Sequence, residues 1–192
     1  MGGRAVFLVG FMACGKTTAG VELAGRLGWD FVDLDAQIEA REGVTIAEIF
    51  QARGESEFRK METSALRDLT QSLRRDTVVA LGGGTFPQTA NRELLGCWPS
   101  IFLDVPLDEL WRRSQGDPGK RPLRKEDPQA FARLHEERLP LYRQATVTVV
   151  TSGRSAVSIC DEIERILNLR ATTETVRSSQ IFPGRFETGE SK

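Results

Sequence analysis

The sequence predicts an α/β protein built on a parallel sheet with helices on both faces. Two observations carry that reading. Five short apolar, β-rich segments (residues 4–10, 31–34, 78–81, 101–105 and 146–150) recur with helical stretches between them. Short strands spaced by helix-length crossovers pair in parallel and are buried on both sides. The run Gly10-Phe-Met-Ala-Cys-Gly15-Lys16-Thr17 sits between the first such segment and a helix-like stretch over residues 18–27. That is the strand–loop–helix setting a phosphate-binding loop requires.

Taken in order, the first strand delivers the chain into that loop. Glycines let the backbone wrap a phosphate closely, so the amides of Ala13, Cys14, Gly15, Lys16, Thr17 and Thr18 face the anion. Lys16 supplies a point charge for the β- and γ-phosphates, and the Thr17 hydroxyl is a ligand for Mg²⁺. The next helix turns its positive dipole end to the same place. A nucleoside triphosphate is the expected ligand. Cys14 reads first as a small residue filling a loop position; a helix N-terminus and a lysine beside it also suit a reactive thiol.

Asp33-Leu-Asp35 comes just after the second strand. Alternate residues of a strand share a face, so both carboxylates are expected on one side, at the end of the sheet where open α/β folds bind ligands. One can reach a Mg²⁺ shell and one can accept a hydrogen bond from an acceptor hydroxyl; the plain alternative is an exposed acidic turn. Thr45-Ile-Ala-Glu48 forms a capping box that opens a helix toward Arg53. Residues 55–73 read as a longer helix carrying Arg59 near its start. Gly82-Gly83-Gly84 follows the third strand, and three glycines there admit a ligand close to the backbone. No aspartate stands at that strand end, so Mg²⁺ is assigned to Asp33 together with Thr17. Residues 115–128 are rich in Gly, Pro and charge and read as a mobile lid bearing Arg121, which could neutralise a transferring phosphoryl group. Arg138 lies in Arg138-Leu-Pro-Leu-Tyr142-Arg143; it and Arg59 could equally be solvated helix charges. An amphipathic helix over 155–169 closes the domain. The polar stretch 171–192 is expected to be disordered.

A chain of 192 residues with a formal charge of −1 is one domain (residues 1–170) plus a tail, with no global attraction to nucleic acid or to an anionic membrane. Its three cysteines are too few and too scattered for a disulfide framework or a zinc site, which points to the cytoplasm. The apolar N-terminal stretch runs straight into Gly15-Lys16-Thr17, so it does not read as a cleaved signal. No run is long enough to span a bilayer. A monomer is expected.

Together, the stretches GFMACGKTTAG, FVDLDAQIE, TIAEIFQARGESEFRKME, ALGGGTF, RPL and ERLPLYR resemble the shikimate kinase family, over about residues 4–169. The resemblance implies a nucleoside-monophosphate-kinase-like fold with strand order 2-3-1-4-5. It also implies transfer of a phosphoryl group from ATP to shikimate, giving shikimate 3-phosphate and ADP on the chorismate pathway to aromatic amino acids. Carried over by position, Asp33 organises Mg²⁺, Asp35 binds the shikimate hydroxyls and accepts a proton, and Arg59 and Arg138 grip the carboxylate. Gly82, Gly83 and Gly84 line the pocket, Arg121 is the lid arginine, and Arg113 lies near adenine. The chain departs from the family in having no proline in Thr151-Ser-Gly-Arg-Ser155. Two other readings are weighed against this one. A kinase of another hydroxy acid such as gluconate would use the same loop. A non-catalytic nucleotide module would be expected to have lost Lys16, Asp35 or Arg121, and all three are present.

Overall fold

The computed structural model describes residues 2–96, 98–116 and 127–169. Cys97, Arg121 with most of the expected lid, and the 171–192 tail lie outside the described residues. The elements run β1 (Ala5–Val9), α1 (Lys16–Leu27), β2 (Asp30–Asp33), α2 (Leu34–Glu42), α3 (Ile46–Ser72), β3 (Thr77–Ala80), α4 (Thr89–Leu95), β4 (Ser100–Asp104), α5 (Leu107–Gln115), α6 (Pro128–Tyr142), β5 (Val147–Val150) and α7 (Ala156–Leu167). The strands form one sheet in the order β2-β3-β1-β4-β5. Every pairing is parallel, with Leu8 beside Ala80, Asp33 beside Ala80 and Asp104 beside Val150. Both the expected class and the expected strand order are therefore present.

Local chemistry explains the boundaries. Every residue of β1 and β3 is buried, as a central strand covered on both faces must be. Gly15, at φ 93°, opens α1 in a conformation that favours glycine, and Gly28 ends it at φ 66°. Thr45 and Glu48 form the reciprocal capping box of α3. Gly54 (φ 79°, ψ 171°) is not helical and divides α3 at a kink into two helical stretches, the two helices expected on either side of that point. Asp127 caps α6 ahead of Pro128 at its first turn. Ser155 caps α7, which ends on Asn168 in the left-handed region.

The core is continuous. Phe7, Leu8, Val9, Leu66, Ile101 and Ile163 are almost fully buried within it. Around the sheet α1 packs on α7, α2 on α3, α3 on α4 and α5 on α6. Because all strands run the same way, the segments after β1, β2, β3, β4 and β5 emerge along one edge. No helix among the described residues is long and apolar enough to cross a membrane.

Strand alternation does not explain the Asp33–Asp35 pair. Strand β2 stops at Asp33, and Asp35 stands in the first turn of α2. Asp33 is the cap: its Oδ1 accepts from the amides of Asp35 (3.1 Å) and Ala36 (3.3 Å). A helix-capping aspartate bends the chain before alternation can continue.

Candidate active site

The turn after β3 is the hub of the site. A β-carbon on Gly83 would sit 3.4 Å from the Met12 amide nitrogen and 3.7 Å from Gly10 O, so this turn lies directly against the phosphate loop. A β-carbon on Gly82 would collide with Asp35 Oδ1 and stand 2.9 Å from Glu62 Oε1. One on Gly84 would collide with the Arg59 guanidinium. The Gly83 carbonyl accepts from Arg138 Nη1 at 3.3 Å and from the Tyr142 hydroxyl. A side chain at Gly82 or Gly84 would displace Asp35 or Arg59, whereas a β-carbon on Gly83 would make ordinary contact with the phosphate loop.

In the loop itself, Gly10 (φ 144°) and Ala13 (φ 62°) adopt positive φ. A β-carbon on Gly10 would come within 2.9 Å of Cys14 Sγ, and Cys14 is only 3% exposed. Cys14 therefore fills the loop from beneath, the packing role of the two the sequence allows. The Lys16 ammonium donates to the carbonyls of Gly10 (2.9 Å) and Phe11 (3.0 Å), which curls it back along the loop. The Thr17 hydroxyl donates to Asp33 Oδ2 at 2.8 Å. A hydroxyl and a carboxylate oxygen side by side are hard donors of the kind Mg²⁺ takes.

Arg59 is held by two carboxylates. Its Nη1 donates to Glu62 Oε2 at 2.5 Å and its Nη2 to Glu55 Oε1 at 2.9 Å. Burial works to lower the Arg59 pKa, but the charge and hydrogen bonds of Glu62 and then Glu55 outweigh it and raise the value. The guanidinium stays charged and aimed at the triglycine turn. Glu62 is 1% exposed and also accepts from Thr85 Oγ1 (2.6 Å) and Gln88 Nε2 (3.2 Å). Burial drives the Tyr142 phenol well above its ordinary range, so it serves as a neutral donor to Gly83.

The family model described as Shikimate kinase matches residues 12–168. The chain belongs to the shikimate kinase family. The shikimate kinase of Parasynechococcus marenigrum is 41% identical over 169 residues, covering 87% of each chain. The structure of the Acinetobacter baumannii shikimate kinase in complex with shikimate superposes with a TM-score of 0.80 at 36% identity, over 88% of this chain and 96% of that one. A gluconokinase from Sinorhizobium meliloti superposes at 0.55 with 17% identity, over 88% and 97%; that likeness shows the fold alone.

Within this family member the expected site residues Lys16, Thr17, Asp33, Asp35, Arg59, Gly82, Gly83, Gly84 and Arg138 come together at one sheet edge. Arg113 stands at the far side of the loop: its Nη1 is 4.0 Å from the place a β-carbon on Gly15 would take. Glu62, Thr85 and Tyr142 were not singled out from sequence. The available signals were spacing ones: Glu62 follows Arg59 by three residues and Tyr142 follows Arg138 by four, each one helical turn away on the same face.

His135 also touches the loop. Its ring stands edge-on to Phe11 at 5.2 Å. Burial lowers its pKa below the ordinary 6.5; Asp104 and Glu136 oppose the shift and Arg143 adds to it. A histidine whose folded pKa is depressed contributes stability that is complete above the unfolded value. That contribution is lost as pH falls below it toward the folded value. The melting temperature is expected to fall more for the wild type than for His135→Gln between pH 7 and pH 5. Parallel curves would contradict this.

Proposed function

We propose that this chain phosphorylates the 3-hydroxyl of shikimate with ATP, yielding shikimate 3-phosphate and ADP in the chorismate pathway. One observation carries the reading. The triglycine turn touches the phosphate loop through Gly83 and the candidate acceptor residues Asp35, Arg59 and Arg138 through its other atoms. The phosphoryl donor and a hydroxy-acid acceptor would then meet across one short stretch of backbone.

In this account Arg59 and Arg138 bind the shikimate carboxylate with guanidinium forks. Asp35 orients the ring hydroxyls and takes the proton of the 3-hydroxyl as its oxygen bonds to the γ-phosphorus. The bond from that phosphorus to the β-γ bridging oxygen breaks, and ADP leaves. Lys16 compensates charge on the transferring group, and Arg121 would add to it from the lid. The amides of residues 13–18 hold the remaining phosphates, and Arg113 lies on the nucleoside side. Thr17 and Asp33 would hold Mg²⁺, which when bound neutralises phosphate charge. No group of three or more His, Cys, Asp or Glu suited to a metal occurs among the described residues. Residues 1–170 would work as one unit, as a cytoplasmic monomer with no nucleic-acid or membrane partner.

A coupled ADP-release assay with shikimate, quinate and gluconate tests the acceptor. Turnover should be fastest with shikimate, because a site that pairs buried polar groups with hydroxyls discriminates strongly against analogues that misplace them. Faster turnover of gluconate would favour a kinase of another hydroxy acid. Gly84→Ala should displace the Arg59 guanidinium and lower kcat/KM for shikimate by about 10- to 100-fold, with the KM for ATP unchanged. An unaffected shikimate response would show that Arg59 does not depend on this glycine.

A further inference from the structure

On the side of β1 away from the triglycine turn, two segments rise from the ends of β4 and β5: α5 and the loop of residues 151–155. One carboxylate joins them. Glu109 Oε1 accepts from Arg113 Nη2, one helical turn further along α5. Glu109 Oε2 accepts from Ser152 Oγ at 2.7 Å. The Glu109 side chain is 13% exposed and that of Arg113 34%, so the bridge lies at the protein surface with its carboxylate the more sheltered partner. The hydrogen bond from Ser152, with Arg113 adding to it, holds the Glu109 carboxyl below the usual carboxylate range.

The loop bridged by Glu109 is otherwise anchored downward. The Thr151 amide donates to Asp104 O at 2.9 Å. Arg154 donates to Val150 O at 3.0 Å and to Ser158 O at 2.7 Å. Gly153 turns at φ 68°. These bonds tie the loop to its own strand, to the end of β4 and to α7, and Ser152–Glu109 adds a tie to the helix that carries Arg113.

Position gives the bridge its meaning. A triphosphate seated in the loop directs its γ-phosphoryl toward the Gly82–Gly84 turn. Its nucleoside must then leave over the other half of the sheet, past β4 and β5. Arg113 and Ser152 stand there, with Arg113 Nη1 at the Gly15 end of the loop. A planar guanidinium stacks on an aromatic base when its orientation is fixed, and a free arginine loses rotamer entropy on being ordered. We propose that Glu109 is a positioning residue for the nucleoside: one carboxylate sets both the Arg113 guanidinium and the 151–155 loop that wall the base. The inference rests on the kinase reading above but concerns the nucleotide half alone.

Calorimetry of the full chain with ADP and with pyrophosphate tests it. Glu109→Ala should weaken ADP binding by about 10- to 100-fold, the range for losing a charge-assisted hydrogen bond, and leave pyrophosphate binding unchanged. Ser152→Ala should weaken ADP by about 2- to 10-fold. The double variant should be no worse than Glu109→Ala, because the two changes break the same bridge. Circular-dichroism melting identifies a Glu109 variant that does not fold, in which case Ser152→Ala decides. Unchanged ADP affinity in the folded variants would overturn the proposal. So would equal weakening of ADP and pyrophosphate, which would mark a general structural role. If wild-type protein binds ADP with this pattern yet fails to turn over shikimate, the acceptor assignment fails and the nucleoside assignment stands.

Discussion

Lys16→Ala is expected to lower kcat with shikimate by about 10³-fold or more, the scale seen when a charge aimed at a transferring phosphoryl group is removed. The Lys16 ammonium lies along the phosphate loop, hydrogen-bonded to Gly10 O and Phe11 O, and it is the cation the loop motif itself supplies. Alanine leaves the developing charge on the γ-phosphoryl group without that compensation. Fold should persist, because Lys16 begins α1 beside Gly15, whose left-handed conformation sets the turn. Steady-state kinetics beside a melting curve separate the two effects. A kcat within about tenfold of wild type would correspond to only about 1.4 kcal/mol of transition-state stabilisation. That would place the charge compensation elsewhere.

Arg59→Ala should produce two losses that can be measured apart. The KM for shikimate should rise by about 10- to 100-fold, the cost of one charge-assisted contact to the carboxylate. Stability should also fall by about 3–5 kcal/mol, because Glu62 is left as a buried charge without its arginine. Glu62 is 1% exposed; its remaining partners, Thr85 and Gln88, are neutral. Adding Glu62→Gln to Arg59→Ala should recover much of the stability and none of the shikimate affinity. Recovery of both would mean that Arg59 acts only by packing against Glu62.

The parts of this site that were legible in the sequence are those whose chemistry is local. A phosphate loop is written in eight consecutive residues, and the triglycine turn announces close approach by the absence of side chains. The Asp33–Asp35 pair was found for a reason the fold does not use, since helix capping by Asp33 rather than strand alternation places Asp35. Glu62 and Tyr142 were missed because their roles are defined by distant partners. Tyr142 reaches Gly83 across 59 positions and Glu62 meets Thr85 across 23. In isolation each reads as an ordinary helix residue. Glu109 and Ser152, 43 positions apart, are of the same kind. Strand order 2-3-1-4-5 was legible only through the family resemblance, because alternation of strands and helices specifies a parallel sheet without specifying which neighbours pair.

The central claim is that the phosphate loop and a shikimate pocket share the Gly82–Gly84 turn as a common wall. A crystal structure with ADP and shikimate bound together tests it most directly. The account predicts the shikimate carboxylate between Arg59 and Arg138, with its 3-hydroxyl beside Asp35 and facing the β-phosphate end of ADP. Shikimate bound away from that turn, or with its carboxylate toward Lys16, would contradict it.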